Sequence, residues 1–250
     1  MENKKMSEIS VVVPCFNEEK TIYFNIKKIN NYLSNYFREF EIIAVNDGSR
    51  DNTNKELQRA KLDFPKVVII ENALNAGKGK VVKDGMLKSR YEVVMFLDAD
   101  LAIPIEETNK FVAEIENGYD LAIASRFVPG LKVVKPVLWY RKYMEKIFRL
   151  IRMLIISNYK IHDTQCGFKV FSRRAAQDIF PLMTVERFAF DAEIVFIAGK
   201  FGYKIKELPI ILQNPTTSSV RIYRDSVNML IDLVKIRIND FLGKYKKPKK

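Results

Sequence analysis

At 250 residues, 48% of them apolar, the chain is long enough to bury a sizeable core, and length alone leaves one large domain or two small ones open. Lys and Arg outnumber Asp and Glu by 42 to 30, and the resulting formal charge of +12 favours an anionic partner: a phosphorylated substrate, nucleic acid or an acidic membrane surface. The 2 cysteines, Cys15 and Cys166, exclude a disulfide framework and point to a reducing cytoplasm; no signal-peptide pattern precedes Ile9, and no apolar run reaches a membrane span. Ile9 to Val13 is a β-branched run ended by Pro14, the first predicted strand. Asn17-Glu18-Glu19 opens a helix whose apolar positions Ile22, Ile26, Ile29 and Leu33 recur at helical spacing. A second strand, Glu41 to Val45, runs into the turn signal Asn46-Asp47-Gly48-Ser49. A polar helix from about Asp51 and a strand over Val67 to Ile70 follow, and Asn75-Ala76-Gly77-Lys78-Gly79-Lys80 then leads into a third helix. The continuous apolar run ending at Leu97 reads as a buried central strand, halted by Asp98 and Asp100, with a helix from near Glu106. Asp120 to Ala124 is a further strand, ending at Ser125-Arg126. Strands alternating with helices over about the first 125 residues predict a mostly parallel, doubly wound α/β sheet.

In such a sheet the strand ends share one rim, where open α/β folds bind their ligands. The first strand delivers Pro14, Phe16 and Glu18 there, the second Asp47, the central one Asp98 and Asp100, and the last Arg126. Two carboxylates one residue apart can hold a hard divalent cation whose coordination substrate phosphates complete. The same pair also fits an Asp-capped turn before the next helix. Asp47 can accept hydrogen bonds from a nucleobase or ribose, or belong only to a turn. Gly77-Lys78-Gly79-Lys80 lacks the P-loop pattern, yet at a helix start Lys78 or Lys80 can approach a diphosphate; a solvated first turn fits as well.

The second half is less regular. His162 is the chain's lone imidazole and reads as structural. Asp163 and Gln165 fit either an acceptor-side loop or a satisfied turn, and Asp191 and Glu193 open a helix, where carboxylates are favoured anyway. Over Val137 to Ser157, Arg141, Lys142, Glu145, Lys146, Arg149 and Arg152 fall within about 140° of a helical wheel. The rest of that wheel holds Trp139, Tyr140, Phe148 and other apolar residues, an arc broad enough for a helix lying in a membrane interface, or for one packed on the domain or a dimer partner. Ser226 to Leu242 is also amphipathic, with Asn228, Asp232, Lys235 and Asn239 on one face. Lys244 to Lys250 is polybasic: a lipid-facing segment or a solvated tail. The expected organisation is one domain over 8–225 containing the 137–157 helix, a C-terminal amphipathic helix over 226–243 and a basic disordered tail over 244–250.

Three stretches, Val11-Val12-Val13-Pro14-Cys15-Phe16-Asn17-Glu18, Val45-Asn46-Asp47-Gly48-Ser49 and Leu97-Asp98-Ala99-Asp100, together resemble the family 2 glycosyltransferases of the GT-A fold. Asp163-Thr164-Gln165-Cys166-Gly167-Phe168-Lys169 and Arg187-Phe188-Ala189-Phe190-Asp191-Ala192-Glu193 are similar to the dolichyl-phosphate sugar synthases, the glucosyltransferase branch more than the mannosyltransferase one. The resemblance implies a Rossmann-like nucleotide-binding sheet with amphipathic membrane-interface helices. Pro14, Phe16, Glu18, Asp47 and Lys78 would line the nucleotide-sugar site with Asp98, Ala99 and Asp100, the two aspartates acting through Mg²⁺ or Mn²⁺. Asp191 would lie near the sugar, and Arg126, Lys169, Arg187 and Arg221 are candidate ligands of the acceptor phosphate, each as readily an ordinary surface charge. The catalytic set implied is Asp98, Asp100, Asp191 and Arg126.

The implied activity is inverting transfer of a hexose, glucose from UDP-glucose foremost, onto dolichyl or polyprenyl phosphate, by a protein peripheral on the cytoplasmic face of an acidic membrane. GDP-mannose as donor is the near alternative. A non-lipid acceptor is another, and it would call for a catalytic-base carboxylate. A basic nucleic-acid-binding protein is the rival of another class, but no nucleic-acid motif is present and the basic residues cluster on an amphipathic helix, so no nucleic-acid partner is expected. Two departures stand out. Leu101-Ala102-Ile103 lacks the polar residue of mannosyl-transferring relatives, and Thr217-Ser218-Ser219 replaces a Gly-Ser-Lys, with Arg221 as the substitute cation.

Overall fold

The computed structural model describes residues 8–133, 150–153, 155, 161–213 and 222–247. The apolar runs become strands: β1 (Ile9–Cys15), β2 (Phe40–Asn46), β3 (Val67–Glu71), β4 (Val93–Leu97), β5 (Leu121–Ser125), β6 (Lys132–Val133), β7 (Phe168–Ser172), β8 (Ile205–Pro209) and β9 (Ile211–Leu212). Seven of them form one sheet in the order β3-β2-β1-β4-β7-β5-β8, while β6 and β9 pair separately in parallel. Within the large sheet only β7 runs against its neighbours, β4 and β5; all the others share one direction, so their carboxyl ends do lie on one rim.

The helices whose bounds lie within the described residues are α1 (Ile22–Tyr36), α2 (Thr53–Asp63), α3 (Lys78–Lys88), α4 (Thr108–Glu116), α5 (Arg173–Ile179), α6 (Phe190–Lys200) and α7 (Ile222–Phe241). They cover both faces of the sheet. Val11 and Val13 of β1 pack with Ile22, Ile26, Ile29, Leu33 and Phe111, while Val12 turns to the other side with Val81, Val82, Phe171 and Phe190. Strands buried on both faces need apolar residues at nearly every position, which is why the central runs show no alternation.

Several details differ from the sequence reading. Helix α1 starts at Ile22 rather than near Asn17, because Asn17 sits in the left-handed region at φ 55° and turns the chain. The loop it opens is bound to the next one: the Asn17 and Glu18 backbone N–H groups donate to Ser49 Oγ (3.0 Å) and Thr53 Oγ1 (2.6 Å), and Arg50 N–H donates to Asn17 Oδ1 (2.9 Å). The antiparallel insertion of β7 has no counterpart in the predicted alternation. The interface helix expected over 137–157 lies outside the described residues apart from 150–153 and 155. Of these, Arg152 was assigned to the polar face, yet it is buried, and its Nη2 donates to the carbonyls of Ile161 (3.1 Å) and His162 (3.2 Å). A guanidinium that satisfies buried carbonyls cannot also meet lipid headgroups. Among the described residues no helix is long and apolar enough to cross a membrane.

The basic tail, as far as it is described, keeps Lys244, Lys246 and Lys247 exposed but is anchored by one residue. Tyr245 is buried and its hydroxyl donates to Glu193 Oε1 (2.6 Å). Glu193, fully buried on α6, also accepts from Thr184 N–H, Thr184 Oγ1 and Val185 N–H. Removing one bond to a buried carboxylate that keeps its others is a moderate loss. Tyr245→Phe is expected to cost about 1–2 kcal/mol and to lower the melting temperature by about 3–6 °C in thermal denaturation. An unchanged melting temperature would mean that the phenol oxygen contributes nothing there.

Candidate active site

The rim is built from four strand ends, the amino end of β7 and the starts of α3 and α6. At the end of β1 the left-handed turn at Asn17 leaves the Phe16 ring 43% exposed and returns Glu18 toward the sheet. Burial pushes the Glu18 carboxyl up, a hydrogen bond from Thr21 Oγ1 (2.9 Å) pulls it down, and the negative charges of Asp100, Asp51 and Asp98 push it up again. Glu18 therefore faces the same space as the paired aspartates.

Strand β4 is fully buried and ends at Asp98, where the chain turns sharply. Leu101 takes a left-handed φ of 49°, Leu101 N–H donates to the Asp98 carbonyl (3.1 Å) and Ala102 N–H to Asp100 Oδ1 (3.0 Å). Ala99 is buried between the two aspartates, its carbonyl held by Asn25 Nδ2 (2.7 Å). The capped turn and the carboxylate pair were posed as alternatives for this stretch. Neither aspartate caps the following helical turn, which begins at Ile105 after Pro104 with no side-chain cap; one Asp100 oxygen instead secures the local turn that presents Asp98 and Asp100 together.

Lys78, first residue of α3, brings its Nζ to 2.5 Å from Asp98 Oδ1. Burial would lower its pKa, but the charges of Asp98, Asp191 and Asp100 outweigh that and hold it above the usual lysine value. The ammonium is thus charged at neutral pH. Its position depends on Asp47. That carboxylate is buried and accepts from the N–H groups of Ala76 (2.7 Å) and Gly77 (3.0 Å), and it pins the loop that delivers Lys78. Asp47, expected near the nucleobase, holds one backbone donor of this loop on each of its oxygens. Gly77, at φ 98°, lies so close to the Glu186 carbonyl that a Cβ would come within 2.5 Å of it.

Two of the cations assigned to the acceptor phosphate are held by carboxylates. Lys169 faces inward in β7, opposite Phe96 and Ile123, with no exposed surface; its Nζ is paired with Asp191 and donates to the Cys166 carbonyl (2.6 Å). It is not placed to reach a substrate phosphate. Burial raises the Asp191 carboxyl against the pull of Lys169 and Lys78, and the side chain is buried rather than open to the rim. Arg126 forms a two-pronged bridge to buried Asp163, Nε to Oδ2 (2.7 Å) and Nη2 to Oδ1 (3.0 Å), while Gln165 N–H donates to the same carboxylate (3.0 Å). Arg187 keeps its guanidinium about half exposed, with Asp232 of α7 at 4.0 Å. Arg221 and Thr217-Ser218-Ser219 lie outside the described residues.

Burial would raise the Asp163 carboxyl, but the Arg126 charge and hydrogen bonds overcome it and hold the group below the usual range. A depressed carboxylate contributes its full stability above its unfolded pKa of about 3.9 and loses it as the pH falls through the lower folded value. Asp163→Asn is therefore expected to lower stability at neutral pH and to flatten the loss of stability on acidification below about pH 4 in pH-dependent melts. A variant with the wild-type acid limb would remove the pair from that role.

Sequence reasoning missed Asp163 as the partner of Arg126, Asp47 as the pin of the Lys78 loop, and Gly167. Gly167 abuts the Asp98 carboxylate, and its carbonyl accepts from Asp98 N–H (3.1 Å). The only signal for these lay in sequence neighbours that a single chain does not rank.

Comparison with known proteins places this geometry. The family described as Glycosyl transferase family 2 matches residues 10–180. The chain is 32% identical to dolichyl-phosphate beta-glucosyltransferase ALG5A of Trichomonas vaginalis, over 95% of this chain and 75% of that one. It is 32% identical to the dolichyl-phosphate beta-glucosyltransferase of Saccharomyces cerevisiae (97% and 78% covered) and 31% identical to that of Homo sapiens (96% and 78%). The crystal structure of glucosyl-3-phosphoglycerate synthase from Mycobacterium tuberculosis, in complex with Mn²⁺, UDP and glucosyl-3-phosphoglycerate, superposes with a TM-score of 0.67 at 16% identity, covering 98% of this chain and 82% of that one. At that identity the likeness speaks for the GT-A fold alone. The chain is a glycosyltransferase and belongs to glycosyl transferase family 2.

Proposed function

We propose that this enzyme transfers glucose from UDP-glucose to dolichyl or polyprenyl phosphate, inverting the anomeric carbon, at the cytoplasmic face of a membrane. The observation that carries the reading is the Asp98–Asp100 turn with the Lys78 ammonium set against it, in a chain whose relatives are named dolichyl-phosphate beta-glucosyltransferases. Departure of a nucleoside diphosphate builds negative charge on its phosphates, and a fixed cation at that point lowers the barrier. Lys78 supplies one such cation. Asp98 and Asp100 are the hard oxygen donors that would hold Mg²⁺ or Mn²⁺, one residue apart on the turn that presents them. When bound, the ion would add Lewis-acid stabilisation of the leaving diphosphate. No cluster of three His, Cys, Asp or Glu forms a closed cage among the described residues, so substrate oxygens would complete the coordination.

Pro14 and Glu18 would bound the nucleotide pocket, and the exposed Phe16 ring offers a stacking surface for the base. The acceptor phosphate is ionised at neutral pH and needs positioning more than deprotonation, which leaves no task for a catalytic base. Arg187, the half-exposed cation beside the Lys78 loop, is the candidate for that positioning; Asp191 with Lys169 and Asp163 with Arg126 would keep the surrounding loops in register.

A panel of radiolabelled sugar nucleotides offered with dolichyl phosphate and Mn²⁺ tests the reading. A chloroform-soluble, acid-labile product formed from UDP-glucose is the expected result. Product from another donor would overturn the sugar assignment, and the absence of any lipid-linked product would overturn the acceptor.

A further inference from the structure

Helix α7 presents its faces in the reverse of the usual arrangement. Its polar residues Asp232 and Asn239 are buried against the domain, where Asn239 Nδ2 donates to Thr184 Oγ1 (2.8 Å) and Asp232 faces Arg187 at 4.0 Å. Leu233 and Ile236 pack into the core beside them. The outward side carries Val227, Ile231, Val234, Ile238 and Phe241, between 45% (Val227) and 91% (Phe241) exposed, with Leu242 just past the helix end. Steps of four and three residues align them in one stripe about 21 Å long at 1.5 Å per residue. Soluble surfaces normally scatter such residues singly, and a continuous stripe marks a contact surface.

We propose that this stripe is the surface by which the enzyme seats itself on an anionic lipid bilayer; the proposal rests on the reading that the acceptor is a membrane-borne lipid phosphate. The charges around the stripe choose the occupant. Lys235, Arg237, Lys244, Lys246 and Lys247 are exposed on or just beyond α7, and the sequence continues with Lys249 and Lys250; of its three acids, Asp232 and Asp240 are turned to partners within the protein, and Asp225 belongs to the first turn, away from this basic end. Two copies pairing through this stripe would bring like charges together, while acidic headgroups neutralise them. An apolar stripe flanked by cations suits a helix lying in the plane of the interface.

The buried side of α7 ties this surface to the rim. Lys235 Nζ donates to the Thr184 carbonyl (3.2 Å), and the loop from Thr184 to Arg187 closes on Gly77 and Gly79, the residues on either side of Lys78. Seating α7 on lipid would thus carry Arg187 toward a phosphate that cannot leave the bilayer.

Flotation of the full chain with vesicles of equimolar phosphatidylcholine and phosphatidylserine tests the proposal, with Ile231→Asp combined with Ile238→Asp. Both positions are exposed, and the milder pair Ile231→Ser with Ile238→Ser serves if the aspartates disturb the fold. The variant is expected to partition at least about tenfold less than wild type. Its transfer to vesicle-borne dolichyl phosphate should fall in step, while transfer to a short water-soluble prenyl phosphate stays within about twofold of wild type. Undiminished flotation of the variant overturns the proposal, as does a dimer that turns monomeric with flotation unchanged. A wild type that floats but glucosylates neither acceptor would sink the functional reading and leave the docking surface standing.

Discussion

Asp100→Asn is expected to lower sugar transfer by about a thousandfold or more, some 4 kcal/mol of transition-state stabilisation, while the fold stays intact. Asparagine is nearly isosteric with aspartate, and its side-chain oxygen can still accept from Ala102 N–H, so the turn with Leu101 at φ 49° survives. What disappears is one of the two negative charges that would bind the cation. The same change at Asp98 is less clean, because Asp98 also neutralises Lys78 across 2.5 Å and its loss would release that ammonium. The measurement is the initial rate of lipid-linked sugar formation across a Mn²⁺ titration, with a thermal melt alongside. A melting temperature within a few degrees of wild type, as expected of a part-exposed side chain whose turn is kept, makes the kinetic loss interpretable. A folded variant of full activity would remove Asp100 from cation binding.

The residues that were legible in the sequence are those whose role is local. The runs ending at Val13, Val45, Leu97 and Ala124 announce strands because a doubly covered sheet leaves few polar positions in them, Ser10 and Glu41 being buried as a hydrogen-bonded pair, and the turn after Leu97 announces itself through its two aspartates. The insertion of β7 between β4 and β5 was not legible. Phe168–Ser172 reads like any short apolar strand, and its direction is fixed by where the chain returns from a long excursion after β5. Charged residues were misread for a related reason. Lys169 and Arg152 look like surface cations in one dimension; burial becomes possible only through partners far along the chain or contributed by backbone, namely Asp191 for the one and two carbonyls for the other. Asp47 was placed at the correct strand end, yet its function depends on the N–H groups of Ala76 and Gly77, on a loop whose path the sequence does not give. On α7 the two faces were legible but not their orientation, since helical periodicity distinguishes two faces without saying which one a protein covers.

Gly167→Ala is expected to reduce kcat by about a hundredfold or more with a much smaller change in stability, for a reason confined to one atom. Gly167 does not occupy the left-handed region, so its backbone accepts alanine without strain. A Cβ at that position would nevertheless lie 2.2 Å from Asp98 Oδ2 and 2.4 Å from Cγ and Oδ1. Since β4 and β7 are locked in register through Leu97 and Phe168, the strands cannot part to make room. The Asp98 side chain must swing away instead, abandoning Lys78 and the geometry it shares with Asp100. Displacing a catalytic group by about 1 Å is enough for a loss of this size. A double-mutant cycle separates this mechanism from general damage. If Gly167 matters only through the Asp98 carboxylate, then once Asp98→Asn has removed its charge, adding Gly167→Ala should lower activity little further. Fully multiplicative losses would show instead that the glycine serves some other contact, and a Gly167→Ala enzyme with wild-type kcat would show that Asp98 does its work from a different rotamer.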